Sequence, residues 1–328
     1  MTQRYRSVVP LLLSCLLLSA CAGSRQASFS LHSGSPGIEL EEVVFFGQRD
    51  FQCGPAALAM VLHHSGEKVQ PDDLTPLLFV PGRRGSLQLE MIAAARRSGR
   101  IPYPIKPEAA AIAAELAAGR PVLVLQNLGM TWLPAYHYAV VVGLLPGDRV
   151  VLRSGEQPRL VMDGRRFLAT WGRADNWGMV LLRPGELPAV DEPIGYLQAV
   201  AAFETTGQHQ IARRGYEAAL ARWPRQPVAL FGLGNCLLAA GDEDQAAMVY
   251  RRLLAIEPEH AAAVNNLAEA LSRRGCRRQA LVLLDRTLAS SDGGGSFRPT
   301  LQQTRDEIAA RLQQEGDDGG CPPTPDSP

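Results

Sequence analysis

The sequence predicts an α+β domain followed by an all-α solenoid. Between residues 39 and 187, helical patterns come first and short β-rich segments follow, which is the order typical of an α+β domain. From residue 193 onward, a repeat of 34 residues replaces that pattern. A period of this length indicates stacked helix pairs. The chain of 328 residues is long enough for two such domains.

The composition excludes several classes of function. The chain carries 33 basic and 33 acidic side chains, so its charge gives no case for binding nucleic acid. Six cysteines are too few for a fold of this length built on disulfides. His63 and His64 could suggest a metal site, but adjacent side chains on a helix point about 100° apart, and no Cys or acidic partner stands at ligand spacing. We therefore predict no metal and no cofactor.

The first residues are typical of a targeting segment. Residues 1–20 contain a positive start and an apolar run shorter than the roughly 20 residues needed to span a bilayer. The run ends in Leu18–Cys21, which resembles a bacterial lipobox and implies cleavage before Cys21 and acylation of its thiol. Ala22 in place of aspartate favours the outer membrane, with the protein facing the periplasm. The alternative is an ordinary signal peptide with an incidental cysteine. Residues 21–38 are predicted to be a flexible tether.

The stretch 48–62 predicts a turn that delivers Cys53 to the start of a helix. Pro55 suits an early helical position because its missing N–H is not needed there. The following residues are apolar helix formers, so the helix should be buried. A helix N-terminus favours a thiolate, and Gln48 could supply a side-chain N–H for an oxyanion hole. The alternative is a small cysteine in the core.

The rest of this domain should place helices before strands. Val43–Phe46 is predicted as a short strand leading into the Cys53 turn. Helices are predicted at Asp72–Leu78, at Leu87–Arg97 with Ser86 as its N-cap, and at Ala109–Ala118. Short β-rich segments follow at Pro121–Gln126, Tyr138–Leu145, Arg149–Leu152, Leu160–Met162 and Gly178–Leu182.

His137 is the candidate base for Cys53. It opens an apolar strand, which leaves its imidazole at the mouth of the sheet. In a Cys…His dyad the imidazole takes the thiol proton and later protonates the leaving amine. A third member would orient the imidazole. Ser154, at the end of the next strand, is the first candidate, and Asn127 and Asp163 are alternatives from neighbouring strands.

Gln48 followed by Cys53-Gly54-Pro55 and the later His137 resembles papain-like cysteine peptidases of the bacteriocin-processing type (family C39). The resemblance is closer to a lipoprotein subgroup in which helical repeats follow the peptidase-like domain. It implies a papain-like fold with Cys53 as nucleophile, Gln48 at the oxyanion hole and His137 as base. The family usually has an aspartate where Ser154 stands, and a hydroxyl cannot stabilise an imidazolium as a carboxylate does.

Two classes of function follow from these residues. The first is a membrane-anchored cysteine peptidase that acts on envelope peptides or proteins. The second is a weak or inactive peptidase-like domain that binds peptides, with the repeats as scaffold. A third hypothesis is a Cys/His peptidase that cuts cell-wall peptides. Such enzymes typically have the motif Asp-Cys-Ser, and the Gly54-Pro55 pair after Cys53 argues against this hypothesis.

The repeats occupy residues 193–290, after a linker at Pro184–Pro193. Gly207, Gly241 and Gly275 lie 34 residues apart (241 − 207 and 275 − 241), and alanine, aromatic and proline positions keep the same phase. This pattern resembles three tetratricopeptide repeats, which implies that the solenoid binds a substrate or a protein partner.

Three cysteines lie in the C-terminal part. Cys236 and Cys276 stand in successive repeats, and they either pair with each other in an oxidising periplasm or stay unpaired. Residues 291–328 are predicted to be a capping helix and a disordered tail. Cys321 in that tail has no predicted partner.

Overall fold

The computed structural model describes residues 29, 36–48, 52–78, 85–290, 294–317 and 321. The predicted signal segment and Cys21 lie outside the described residues, so lipidation stays a prediction. In the described part of the chain, no helix is long and apolar enough to cross a bilayer. Phe29, within the predicted tether, is buried and its ring lies 5.7 Å from that of Phe167.

The N-terminal part is an antiparallel sheet with helices packed on it. The described chain has a sheet of seven strands: six follow the order β2-β7-β3-β4-β5-β6, and the seventh, β1, pairs with β4. Their apolar side chains share one core with the helix that starts at Cys53. The strands are β1 Ile38–Glu39, β2 Ile101–Pro104, β3 Val122–Asn127, β4 Tyr136–Leu145, β5 Arg149–Ser154, β6 Gln157–Asp163 and β7 Gly178–Leu182. The helices are α1 Cys53–His64, α2 Pro71–Leu78, α3 Gln88–Arg97, α4 Ala109–Ala117 and α5 Gly164–Gly172.

Several predicted elements are corrected. Val43–Phe46 is not a strand, and Ile38–Glu39 pairs with β4 instead. Leu87, with extended backbone, is the N-cap of α3, so the prediction that Ser86 caps this helix is wrong. His137 lies inside β4, one residue after its start. The sequence analysis assigns no element to strand β2, which carries two prolines, or to helix α5.

The described residues of the C-terminal part form three helix pairs and a last helix. Gly207, Gly241 and Gly275 all have positive φ and connect the two helices of each pair, which explains why glycine recurs there. Within the pairs, Ala212, Ala246 and Ala280 are fully buried, so the helices approach closely. The helices are α6 Pro193–Glu204, α7 His209–Arg222, α8 Pro227–Ala239, α9 Glu243–Leu254, α10 Ala261–Arg273, α11 Arg277–Ala289 and α12 Arg298–Glu315.

A chain of polar side chains runs through these pairs, which we call the polar chain. The Tyr216 hydroxyl donates to Glu204, and the Asn235 amide lies 3.4 Å from the same carboxylate. Tyr250 Oη and Asn266 Nδ2 donate to Asn235 Oδ1 at 2.9 and 3.0 Å. The polar chain thus joins the first, second and third helix pairs through side chains that lie among apolar neighbours.

The cysteines pair differently from both alternatives raised by the sequence. Cys276 forms a disulfide with Cys321, with their Cα atoms 5.5 Å apart. Cys236 is a free, buried cysteine, and burial, followed by the nearby Glu204 carboxylate, raises the pKa of its thiol to about 12. Asp317 also accepts backbone N–H groups of Arg277 and Arg278. The predicted disordered tail is therefore anchored to the start of α11 at two points.

Candidate active site

Helix α1 holds Cys53 at its first position. The residues from Gly54 to Leu62 are buried, whereas Cys53 is only partly buried. The helix starts with a bond from the Ala56 N–H to the Gln52 carbonyl at 3.1 Å. An added Cβ on Gly54 would lie 2.5 Å from Ser86 Oγ, so glycine is required beside the thiol. The helix begins at Cys53, as the sequence predicts, whereas residues 49–51 of the predicted turn lie outside the described residues.

Cys53 opens into a cavity of about 690 Å³ between the helical and the sheet parts of the domain. One wall comes from the segment before α3 and the other from β3, β4 and the loop between them. The remaining lining comes from the turn that follows α5. The lining residues are Cys53, Gly85, Ser86, Leu87, Gln88, Leu125, Pro134, Ala135, Tyr136, Tyr138, Ala174 and Asp175. The cavity is large enough for part of a peptide.

His137 is paired with Ser154 across neighbouring strands. His137 Nε2 and Ser154 Oγ are 2.9 Å apart, and the tautomer of the imidazole decides which of them donates. Burial lowers the pKa of His137 below its ordinary value, because desolvation disfavours the charged ring. At neutral pH the imidazole is therefore in the neutral form that a general base requires.

The two other candidates for the third member serve different purposes. Asn127 Oδ1 accepts the N–H groups of Gly129 and Ala135 at 3.0 and 2.9 Å. Asp163 caps α5 by accepting the Arg166 N–H. Of the three residues that the sequence singles out, Ser154 is the one that contacts His137.

Gln48 lies beside the strand that carries His137. Its Nε2 donates to the Tyr138 carbonyl at 3.3 Å, and its backbone N–H donates to Gly155 O at 3.1 Å. Its Oε1 is buried without a hydrogen-bond partner in the described part of the chain. Within the same part, no hydrogen bond joins the Cys53 thiol to His137. The dyad contact and the role of Gln48 at an oxyanion hole stay predictions.

Sequence reasoning missed the other polar groups of the cavity. Tyr138 Oη donates to the Ser86 carbonyl at 3.3 Å, which fastens β4 to the segment before α3. Ser86 Oγ is buried and has no partner among the described residues. Tyr138 directly follows His137 on β4, so their side chains point to opposite faces of the strand, and of the two it is Tyr138 that lines the cavity with Cys53.

Acidification is expected to destabilise the fold through His137. Because its folded pKa lies below the unfolded value of about 6.5, the unfolded chain takes up the proton first as the pH falls. The stabilisation from neutral His137 is therefore present above pH ~6.5 and is lost as the pH falls toward the folded pKa. Urea unfolding at several pH values should show a weaker pH dependence for His137→Gln than for the unaltered protein. Equal slopes would contradict this assignment.

Comparison with known proteins identifies the C-terminal repeats. Residues 237–293 match the family model of the tetratricopeptide repeat. The chain is 34% identical over 95 residues to a probable biofilm formation methyltransferase, WspC, of Pseudomonas aeruginosa, a match that covers 29% of this chain and 22% of that protein. It is 33% identical over 137 residues to the cellulose synthase operon protein C of Xanthomonas axonopodis pv. citri, covering 38% and 9%. The chain thus spans less than a quarter of the length of either curated relative.

Solved structures resemble the chain weakly. The type III secretion translocator chaperone SycD of Yersinia enterocolitica aligns with a TM-score of 0.33 and 16% identity, covering 36% of this chain and 83% of that one. The peptidase domain of Streptococcus ComA, a bifunctional ABC transporter, aligns with a TM-score of 0.35 and 21% identity, covering 43% and 99%. TM-scores this low do not establish a shared fold. The antiparallel sheet domain and the tetratricopeptide repeats are what the chain itself displays.

Proposed function

We propose that the N-terminal domain is a papain-like cysteine peptidase. The observation that carries this proposal is the half-buried thiol of Cys53 at a helix N-terminus, opening into a peptide-sized cavity, in a domain where His137 is held neutral and bonded to Ser154. A thiol at a helix N-terminus is the usual setting of a reactive cysteine. The resemblance to bacteriocin-processing peptidases, given by Gln48, Cys53 and His137, supports the same assignment.

The reaction would proceed in two halves. Ser154 holds Nε2 of His137, so Nδ1 is the nitrogen that takes the Cys53 thiol proton. The thiolate attacks the peptide carbonyl, and the oxyanion is stabilised by the Cys53 backbone N–H and a Gln48 N–H. The C–N bond breaks, the amine leaves with the proton from the imidazolium, and a thioester remains. Water, deprotonated by His137, then releases the carboxylic acid and restores the thiol.

The other parts of the chain would bring this site to its substrate. Tetratricopeptide repeats are protein-binding modules, and we propose that the solenoid holds a substrate or an adaptor protein. A lipid on Cys21 would anchor the protein to the outer membrane, facing the periplasm, where envelope peptides or proteins are within reach. The lipobox-like Leu18–Cys21 segment supports the anchor.

Alkylation of Cys53 and Cys236, the two free cysteines among the described residues, tests the catalytic proposal. Iodoacetamide should modify Cys53 much faster than it modifies glutathione at neutral pH, and His137→Ala should slow that reaction. Cys236, whose pKa is raised to about 12 by burial, is an internal reference that should stay unmodified in the folded protein. If Cys53 reacts no faster than glutathione, the domain is not an active peptidase and the peptide-binding alternative takes its place.

A further inference from the structure

The loop between β3 and β4 exposes a cluster of large apolar side chains. We call residues 128–136 the apolar hairpin. The exposed fractions are 50% for Leu128, 56% for Met130, 76% for Trp132, 63% for Leu133 and 61% for Tyr136. Single exposed apolar residues are common on protein surfaces, but a contiguous group marks a binding surface.

The exposure is imposed by an ordered backbone. Met130 and Leu133 exchange two N–H···O bonds of 3.1 Å, and the Leu128 N–H donates to the Ala135 carbonyl at 2.9 Å. The Asn127 side chain accepts two N–H groups of the hairpin, and Arg173 donates to the Asn127 carbonyl. The apolar side chains are therefore presented on a fixed support, which lowers the entropy cost of binding a partner.

The apolar hairpin is continuous with the cavity of Cys53. Pro134, Ala135 and Tyr136 belong to the hairpin and line the cavity together with the thiol. A ligand that lies on the exposed side chains and extends past Tyr136 therefore reaches Cys53. This position of the hairpin beside the cavity favours a chain molecule as the ligand, because a chain can cross the cavity. A partner that covers only the surface would not reach the thiol.

The chemistry of the hairpin favours a peptide with apolar side chains. Residues 128–136 contain no charged side chain, so charge selects no acidic or basic partner. Segments that lie on membrane surfaces combine apolar residues with Lys or Arg, which this hairpin lacks. An extended peptide presents every second side chain to one face. The exposed side chains of the hairpin can contact the peptide side chains on that face.

We propose that the apolar hairpin binds the substrate, an extended peptide segment with apolar side chains at alternate positions, and guides it across the cavity to Cys53. This inference rests on the proposed peptidase function. It adds a specificity element, because the hairpin would select apolar residues on one side of the bond that is cut.

Binding without cleavage tests the proposal. Cys53→Ala protein would be titrated with a soluble fluorescent peptide that carries leucine at alternate positions, and with a second peptide that carries glutamine there. We expect the leucine peptide to bind more tightly. Adding Leu133→Ser should weaken its binding about tenfold or more, as truncation of an interface anchor does. Ile194→Ser on α6, where Ile194 is 62% exposed, is the matched control and should leave the affinity unchanged.

Each contrary result has a definite meaning. Equal affinity for the two peptides, or no effect of Leu133→Ser, overturns the proposal. Leu133-dependent binding to phosphatidylglycerol vesicles without peptide binding would assign the hairpin to a membrane, and a Leu133-dependent dimer in light scattering would assign it to a second copy. Slow alkylation of Cys53 together with Leu133-dependent peptide binding would remove the peptidase function and keep the hairpin as a peptide site.

Discussion

Replacing Cys53 with alanine is expected to abolish peptide hydrolysis, with a loss of about 10³-fold or more in kcat. Removal of the nucleophile leaves only binding and oxyanion stabilisation, which alone accelerate cleavage weakly. Cys53 is the first residue of a buried helix and opens into the cavity, so alanine should fit without disturbing the fold. The measurement is cleavage of a fluorogenic peptide with apolar residues, compared at equal amounts of folded protein.

Cys236→Ala is the matched control, because Cys236 is the other free cysteine of the described chain and lies in the repeats. Cys236→Ala should retain full activity.

Ser154→Ala should reduce the rate of cleavage less than Cys53→Ala does, since the Ser154 hydroxyl orients His137 without touching the substrate. Activity that survives in Cys53→Ala would rule out Cys53 as the nucleophile.

Replacing Gly234 with valine is expected to destabilise the repeats by about 3 kcal/mol, as overpacking in a core does. An added Cβ at Gly234 would lie 2.5 Å from Cε1 of Tyr250. Tyr250 is fully buried and belongs to the polar chain through Asn235. The ring can therefore move away only by breaking that hydrogen bond. Urea unfolding followed by circular dichroism would measure the change.

Ala239→Val is the control for this substitution, because Ala239 ends the same helix α8 and is exposed. It adds a β-branched side chain without contacting Tyr250 and should cost less than about 1 kcal/mol. If both variants unfold at the same urea concentration, the close approach of α8 and α9 does not limit stability.

The sequence predicted the elements whose signals are local and strong. Pro55 and the apolar residues after it indicate a buried helix that starts at Cys53, as observed. The recurrence of glycine at three positions indicates helix pairs, and each of those glycines has positive φ. Both signals depend on backbone conformations that few residues adopt.

Features that depend on distant contacts could not be predicted. Serine is a residue type that often caps helices, but in the structure Ser86 lies against Gly54 and the cavity. The sequence does not reveal that Gly54 is its neighbour. The pairing of Cys276 with Cys321 requires the tail to fold back onto α11, which no spacing rule indicates. Ser154 is the first of three candidates because of its place at the end of a strand, but its contact with His137 also depends on strand register, which sets the face to which each side chain points.

The polar chain also limits how this solenoid can change in evolution. Arrays of identical units gain or lose one unit by duplication or deletion, because every interface is alike. Here Glu204 supplies acceptor atoms to Tyr216 and Asn235, and Asn235 in turn serves Tyr250 and Asn266. Deleting the middle unit would remove Asn235 and Tyr250 together and leave Asn266 without these two partners. Loss of the middle unit would therefore remove hydrogen bonds from the units on both sides of it.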